Sequence, residues 1–496
     1  MSLLVLGTAS HVGKSVIVAG ICRALFNRGY VVTPFKAQNM SLNSYVTADG
    51  REIGIAQAVQ ATAAGREPSA DMNPILLKPK AESISQVIVL GEPYCDLPIR
   101  DYYTETGRLL EVAVSAYTRL FNETGCVICE GAGGAAELNL YDRDIANILL
   151  ARRLRLPIIL VADIERGGVF AQLYGTIQLL PPEVRSLVTG IIINKFRGDR
   201  AIFESGIQII EEICTVPVLG VVPYVDITLP SEDSLSLFDK RASSSPVRIG
   251  IIRLPRIANY TDFESLERSA SVTYVTPGES LESYDCIIIP GTKNTVLDLM
   301  HLREAKTIEE IHKARIRGIP IIGICGGYQM LGTSIIDRSI ESDCDGEYEG
   351  VGLLPVKTWF SKYQKTTIRV NRKATPIGPI LSCIGEVTGY EIHMGKTVRM
   401  SGQEAFTGDG AASDDGLVFG TYLHGLFQNQ AAVSALLRFL FNKKGLIYLE
   451  EEVTDPYDQF ACHLEDHIDI DRVIAIAKPR LQGEFLKEEE INRGVS

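Results

Sequence analysis

Long hydrophobic runs are missing from this chain. Its longest apolar stretches, such as Leu156 to Ala162 and Gly190 to Ile193, fall far short of the ~18–20 residues that cross a bilayer, so no membrane association is expected. The opening Met1-Ser-Leu-Leu-Val-Leu-Gly7 has neither a basic segment nor a cleavage site and reads as a first strand rather than a targeting signal. Positive charge is also in deficit, with 49 Lys+Arg against 61 Asp+Glu and a formal charge of −12. A nucleic-acid surface, which needs clustered Lys and Arg, is therefore not expected, whereas a local basic pocket for a small anion is compatible with an acidic whole. Cysteine is sparse, ten in 496 residues, and the one CxxC, Cys126 to Cys129, sits in an apolar run with no second pair and no His pair nearby. No zinc site is expected there, and a reduced, cytoplasmic protein is the reading that follows.

What is present is ordinary globular material, 46% hydrophobic and 22% charged, long enough for two to four domains at roughly 100–200 residues each. Short apolar runs at Leu3–Leu6, Tyr30–Pro34, Val127–Cys129, Ile158–Ala162, Gly190–Ile193 and Val218–Val222 alternate with helical patterns at Lys14–Arg28, Leu109–Phe121 and Ile202–Ile213. That alternation predicts an α/β doubly wound parallel sheet with its ligand at the carboxyl ends of the strands. A polar, Ser-rich stretch follows, and the alternation restarts with strands at Val247–Ile252, Ser271–Thr276, Cys286–Ile289 and Ile319–Ile324 and helices from Thr295 and Tyr328. Between Gly350 and Gly420 the pattern suggests antiparallel additions, and Ala431–Lys443 is an amphipathic helix. The expected organisation is a first domain over 1–233, a linker over 234–246, a second α/β domain over 247–445 and a helical extension over 446–496.

Gly7-Thr8-Ala-Ser-His11-Val-Gly13-Lys14-Ser15 follows a strand and opens a helix. Glycines let backbone N–H groups converge on phosphate oxygens, and the helix start adds positive potential. Lys14 would reach the β- and γ-phosphates of ATP, and the Ser15 hydroxyl would hold Mg²⁺. Five residues separate Gly7 from Gly13, one more than usual, so this is a variant phosphate loop. Lys36 follows the second strand and could pair with a transferring phosphoryl group; Glu130 ends another strand, where a Mg²⁺ ligand is wanted, and Asp49 is a second candidate ligand. Asn194 and Lys195 close a further strand, where an amide could read the adenine edge. Asp142 and Asp144 cluster shortly after Glu130-Gly-Ala-Gly-Gly134.

In the second half, Gly323-Ile-Cys325-Gly326-Gly327-Tyr328 joins a strand to a helix. This is the thiol counterpart of the nucleophile elbow, in which small neighbours permit a strained turn and the helix start lowers the thiol pKa. A thiolate needs a base, and His424, after the strand Leu417–Gly420, is preferred over His393 in Tyr390-Glu-Ile-His-Met. Gly326 and Gly291, the latter in Pro290-Gly-Thr-Lys293, are the expected oxyanion donors.

These strings together resemble the cobyric acid synthase family of glutamine-dependent amidotransferases in cobalamin synthesis. The resemblance rests on Gly7-Thr through Val-Gly-Lys-Ser15, Phe35-Lys-Ala-Gln-Asn-Met-Ser-Leu-Asn-Ser44, Glu130-Gly-Ala-Gly, Asp142-Arg-Asp-Ile-Ala-Asn147, Arg166-Gly-Gly-Val-Phe170, Ile193-Asn-Lys-Phe-Arg-Gly-Asp199, Pro290-Gly-Thr-Lys-Asn-Thr295, Gly323 to Gly332, Tyr390-Glu-Ile-His-Met-Gly395 and Gly420-Thr-Tyr-Leu-His-Gly425. It implies a P-loop domain like dethiobiotin synthetase, a C-terminal class I glutamine amidotransferase domain, and ATP and Mg²⁺ as requirements. It also implies small-molecule substrates: glutamine, ATP and a corrin a,c-diamide whose b, d, e and g carboxylates are amidated in turn. Gln38, Asn39, Ser41 and Asn43, with Asp142 and Asp144, are then candidate corrin contacts. Many class I amidotransferases carry a Glu two residues after the base; here that residue is Leu426, so a Cys325–His424 dyad with no third member is expected. The related cobyrinic acid a,c-diamide synthase is the alternative within this chemistry, and a P-loop ATPase switch or scaffold with an inactive amidotransferase module is the alternative outside it.

Overall fold

A computed structural model describes residues 1–81, 84–225, 245–342, 344–450 and 455–478. The first half is built on a six-stranded, all-parallel sheet. Its order is Val218–Pro223, Val188–Phe196, Ile158–Asp163, Ser2–Gly7, Val127–Glu130, Thr33–Phe35. Ser2–Gly7, Val127–Glu130 and Ile158–Asp163 are buried throughout, which is why they read as continuous apolar runs rather than alternating ones. The helices Lys14–Asn27, Thr106–Thr124 and Arg200–Cys214 lie close to where the pattern puts them.

One strand is displaced from its expected position. The Tyr30–Pro34 run yields Thr33–Phe35, because the chain is still leaving the preceding helix, with Tyr30 N donating to Leu25 O at 3.0 Å. Thr33–Phe35 lies at the sheet edge, where Pro34, lacking an N–H, is tolerated.

The second half carries another parallel sheet, in the order Ser271–Val275, Arg248–Ile252, Cys286–Ile289, Ile321–Ile324, Val418–Thr421, extended by the antiparallel Ala411–Ala412. The expected antiparallel additions are a mixed four-stranded sheet over Ser334–Arg338, Asp345–Glu349, Val356–Phe360 and Lys396–Arg399 and a hairpin pairing Thr366–Lys373 with Glu386–His393.

An insertion in the first half has no counterpart in the sequence reading. Gln38–Met40, Ile75–Ala81, Ile84–Val89 and Glu92–Pro98 form a four-stranded sheet, and Ser44–Val46 pairs with Glu52–Gly54. Both lie against the second half: Lys293 Nζ donates to Gln86 Oε1 of the four-stranded sheet at 2.9 Å, Tyr390 Oη donates to Ser44 O at 3.0 Å, Ser44 N donates to Asn259 Oδ1 at 2.8 Å, and Lys365 ion-pairs with Glu52.

The C-terminal helices Pro456–Glu465 and Ile470–Ala477 return to the first half. Phe460, Leu464 and Val473 join the core containing Leu3, Ile17 and Ile21, and Arg23 bridges Asp455 and Asp458 at 2.6 and 2.7 Å. Residues 234–244 of the expected linker, and the charged tail, residues 479–496, lie outside the described residues. Among the described residues, no helix is long and apolar enough to cross a membrane.

Candidate active sites on two faces of one inserted sheet

The phosphate loop turns from Ser2–Gly7 into Lys14–Asn27. Gly13 has φ 98°, and a Cβ there would fall 2.1 Å from Asn194 Nδ2; only glycine lets the loop lie this close to the neighbouring strand end. His11 is also left-handed, at φ 61°, and its carbonyl accepts from Lys195 Nζ at 2.6 Å, so the extra loop residue is anchored. Asn194 donates to Val12 O at 2.9 Å, and Lys195 pairs with Asp163 at 2.9 Å. Asn194 and Lys195 thus brace the loop from the next strands. Lys14 Nζ donates to Ala9 O at 3.1 Å and to Gly133 O at 2.7 Å, curling over the loop.

Glu130 is the centre of this site. It is fully buried and accepts from Ser15 Oγ at 2.7 Å, Lys36 Nζ at 2.9 Å and Gln60 Nε2 at 2.5 Å. Burying a carboxylate is tolerated only with such partners. Gln60 was not foreseen, since an amide inside an apolar helix carries no motif. Ser15 and Glu130 together present hard oxygen donors beside the phosphate loop, a set that fits Mg²⁺ with phosphate oxygens and water. Among the described residues no cluster of three or more His, Cys, Asp or Glu is placed to hold a metal by itself.

Asp49 is not brought to this site. It sits in the turn between Ser44–Val46 and Glu52–Gly54, accepts from Thr47 Oγ1, pairs with Arg51 at 3.2 Å and is exposed. Thr47 and Arg51 use the Asp49 carboxylate to close a hairpin, which is the ordinary role of an aspartate in a turn.

A cavity of about 980 Å³ opens beside the loop, lined by Lys14, Ser15, Lys36, Gln38, Asn39, Tyr102, Glu130, Arg143, Asp144, Arg166 and Lys195, among others. Of the other expected contacts, Asp142 is exposed outside it, and Asp144 mainly caps its own loop, accepting from Ala146 N and Asn147 N. Ser41 and Asn43 bond to each other, and Asn43 Oδ1 accepts from Tyr260 N at 3.2 Å. Those two residues serve the junction between halves and do not line the cavity. Gly7 and Thr8 form the loop's entry, with Thr8 Oγ1 donating to Gln172 Oε1 at 3.4 Å.

The second site surrounds Cys325. The residue is held at φ 52° and ψ −108°, a region that costs a non-glycine residue on the order of 1–3 kcal/mol and is typical of strained functional turns. The elbow closes because Gly327 lies against the sheet: a Cβ there would meet Ile289 O at 1.9 Å. Gly291 lies beside the thiol, a Cβ there falling 3.7 Å from Cys325 Cβ and 3.2 Å from His424 Cε1. Gly326 opens the helix Gly326–Leu331 next to Cys325.

His424 is buried, and its Nδ1 lies 2.7 Å from Asp262 Oδ2, while Gly425 N donates to Asp262 Oδ1 at 2.9 Å. The expectation of a two-membered site is thus corrected: a carboxylate orients the base, supplied from a short 3₁₀ turn, Tyr260–Phe263, rather than from position 426. Burial works against the imidazolium, but the charge of Asp262 and then the nearby Cys325 lift the pKa of His424 to about 10. His393 also lines this cavity, but it stacks on Tyr422 at 3.6 Å between ring centroids and lies 3.7 Å from Glu391.

The inserted sheet separates the two cavities. On its antiparallel strands Lys78 is opposite Gln86, and both line the thiol cavity. Leu77 and Ser85, one residue away on each strand, line the nucleotide cavity, as the two-residue period of a strand requires.

Residues 3–236 match the CobQ/CobB/MinD/ParA nucleotide binding domain, and residues 248–432 match the CobB/CobQ-like glutamine amidotransferase domain. The chain is 63% identical to a probable cobyric acid synthase of Methanosphaerula palustris over 96% of this chain and 98% of that protein. It is 62% identical to a protein of that description from Methanoculleus marisnigri, over 96% and 98%, and 54% identical to one from Methanosarcina barkeri, over 96% and 99%. With both domains matched and relatives this similar along nearly their whole length, the chain belongs to the cobyric acid synthase family.

Proposed function

We propose that this chain amidates the b, d, e and g carboxylates of adenosylcobyrinic acid a,c-diamide, activating each with ATP and supplying ammonia from glutamine. A carboxylate does not accept ammonia directly, because the anion repels the nucleophile and hydroxide is a poor leaving group. At the first site a corrin carboxylate oxygen attacks the γ-phosphorus of ATP, ADP leaves, and an acyl phosphate forms. Lys14 and Lys36 stabilise the charge in transfer, and the braced backbone around Gly13 holds the phosphates. Ser15 and Glu130 would hold Mg²⁺, which when bound neutralises charge on the β- and γ-phosphates. Lys36, now paired with Glu130, is positioned to follow the phosphoryl group.

At the second site the Cys325 sulfur attacks the glutamine side-chain carbonyl. His424 holds the thiol proton and delivers it to the departing ammonia, and Asp262 keeps Nε2 turned towards the sulfur. The N–H groups of Gly291 and Gly326 face the developing oxyanion. Water then hydrolyses the thioester to glutamate, and ammonia displaces phosphate from the acyl phosphate to give the amide.

The observation that supports this reading best is that the cavity beside the phosphate loop and the cavity beside Cys325 lie on opposite faces of one inserted sheet. The cavity beside the phosphate loop is at the upper end of the roughly 300–1,000 Å³ usual for small ligands, in keeping with a large substrate. Incubation with the a,c-diamide, ATP, Mg²⁺ and glutamine, followed by mass spectrometry, should show four successive amidations. Consumption of cobyrinic acid itself, with amides formed only at positions a and c, would assign the chain to the sister reaction instead.

A further inference from the structure

The thiol cavity contains more buried cation than the glutaminase chemistry uses. Lys78 donates to Glu52 at 2.7 Å and to Ser44 Oγ at 2.8 Å, and Lys365 pairs with the other oxygen of the same carboxylate. The side chains of Lys78, Lys365 and Glu52 are 5%, 8% and 1% exposed. One carboxylate therefore answers two ammonium groups. Lys293 adds a third: its Nζ donates at 2.9 Å to a neutral acceptor, Gln86 Oε1, and among the described residues no carboxylate stands within ion-pair distance of it.

Glu341 lines the same cavity, but it caps the adjacent helix, accepting from Thr295 N at 2.8 Å. Burial, then repulsion from Lys78 and Lys365, holds the Lys293 pKa below the usual lysine range, against the weaker pull of Glu52 and Glu341. An unbalanced buried cation is costly, and a ligand anion placed beside it removes that cost. Glutamine has one anion, its α-carboxylate. With its amide at Cys325, its α-carboxylate has to be met within the cavity that Cys325 and these lysines line together.

We propose that Lys293, backed by Lys365 and Lys78, is the seat for the α-carboxylate of glutamine, and that the glutamine site is completed by Lys78 and Gln86 from the nucleotide-binding half. This rests on the glutaminase reading above. Glutamine specificity is then written across both halves: Gln86 positions the Lys293 ammonium, and Lys78 shares Glu52 with Lys365, so that no carboxylate is left over for Lys293.

The test compares hydrolysis of glutamine with that of 4-aminobutanamide, which lacks only the α-carboxylate, in the full chain and in Lys293→Met, each shown to be folded by amidation with ammonia. Loss of a charge-assisted contact should raise KM for glutamine about 10- to 100-fold with kcat little altered, and should leave kcat/KM for 4-aminobutanamide unchanged. An unaltered KM for glutamine, or equal loss with both substrates, overturns the proposal. Should Lys293→Met not fold, calorimetry on Cys325→Ala decides: glutamine should bind at least tenfold more tightly than 4-aminobutanamide, and equal affinity overturns the assignment. Glutamine hydrolysis that persists in Cys325→Ala would instead defeat the glutaminase reading, a separate result.

Discussion

Asp262 decides which nitrogen of His424 faces the thiol. With Nδ1 bound to the carboxylate at 2.7 Å, Nε2 is left for Cys325, and the negative charge favours the imidazolium that the proposed glutaminase step requires. Replacing Asp262 by Asn keeps the shape but removes the charge, so His424 should lose its proton at lower pH than in the parent. Glutamine hydrolysis should fall on the order of 10³- to 10⁴-fold, as when a triad carboxylate is neutralised elsewhere, while amidation with ammonia continues. A steady-state assay with each nitrogen donor checks this, and equal loss with both donors would contradict it. The residue was not legible in the chain: it is 162 positions from His424, lies in a turn without a motif, and acts only because the fold closes on it. Cys325, His424 and Glu130 were legible as candidates because each ends or closely follows a strand beside glycines, and Lys14 because it opens the helix after a glycine-marked loop. Asp49 misled because a loop carboxylate is the right ligand type for Mg²⁺, whereas its hydrogen bonds belong to a hairpin.

Elements place these residues by parallel register. Asp163 aligns with Asn194, and Val5 with Glu130, so side chains distant in sequence reach the same edge of the sheet. Gly13 is one position where this arrangement tolerates no side chain easily. A Cβ at φ 98° is strained, and at 2.1 Å from Asn194 Nδ2 it displaces the amide that braces the loop. Gly13→Ala should therefore weaken ATP binding by more than tenfold, measured by calorimetry, with Cys325-dependent glutamine hydrolysis retained; unchanged affinity would mean that the loop does not hold the nucleotide. The parallel strands were readable as apolar runs, but the inserted strands were not. Gln38–Met40 and Glu92–Pro98 carry polar side chains on mostly accessible positions, so neither a buried run nor a clean alternation marks them.

The returning C-terminal helix shows a further limit of local reading. Its amphipathic pattern announces a helix but not its partner, and Phe460 proves to pack in the first-half core. Phe460→Ala should cost about 3–5 kcal/mol, seen as a lower melting temperature of the full chain. A change under about 1 kcal/mol, the scale of a surface substitution, would show that the helix is only loosely attached.

At the scale of the whole molecule, the two halves share one partition. Ser44 accepts from Lys78 through its hydroxyl and from Tyr390 through its carbonyl, and Tyr390 stacks on His424 with ring centroids 5.5 Å apart. His424 is thus linked, through Tyr390, to the inserted segment of the first half. Such an arrangement suits a reaction whose two half-products, a labile acyl phosphate and uncharged ammonia, are both lost to water if released. Ammonia in bulk solution is mostly ammonium and is not nucleophilic, so nitrogen should pass from the thiol cavity to the acyl phosphate without mixing with the medium. The most direct measurement supplies amide-¹⁵N glutamine together with an excess of unlabelled ammonium salt, and reads the isotope in the corrin product by mass spectrometry. All four new amides should carry ¹⁵N; a product labelled only in proportion to the mixed ammonia pool, or a corrin left unamidated, would contradict direct transfer between the two cavities.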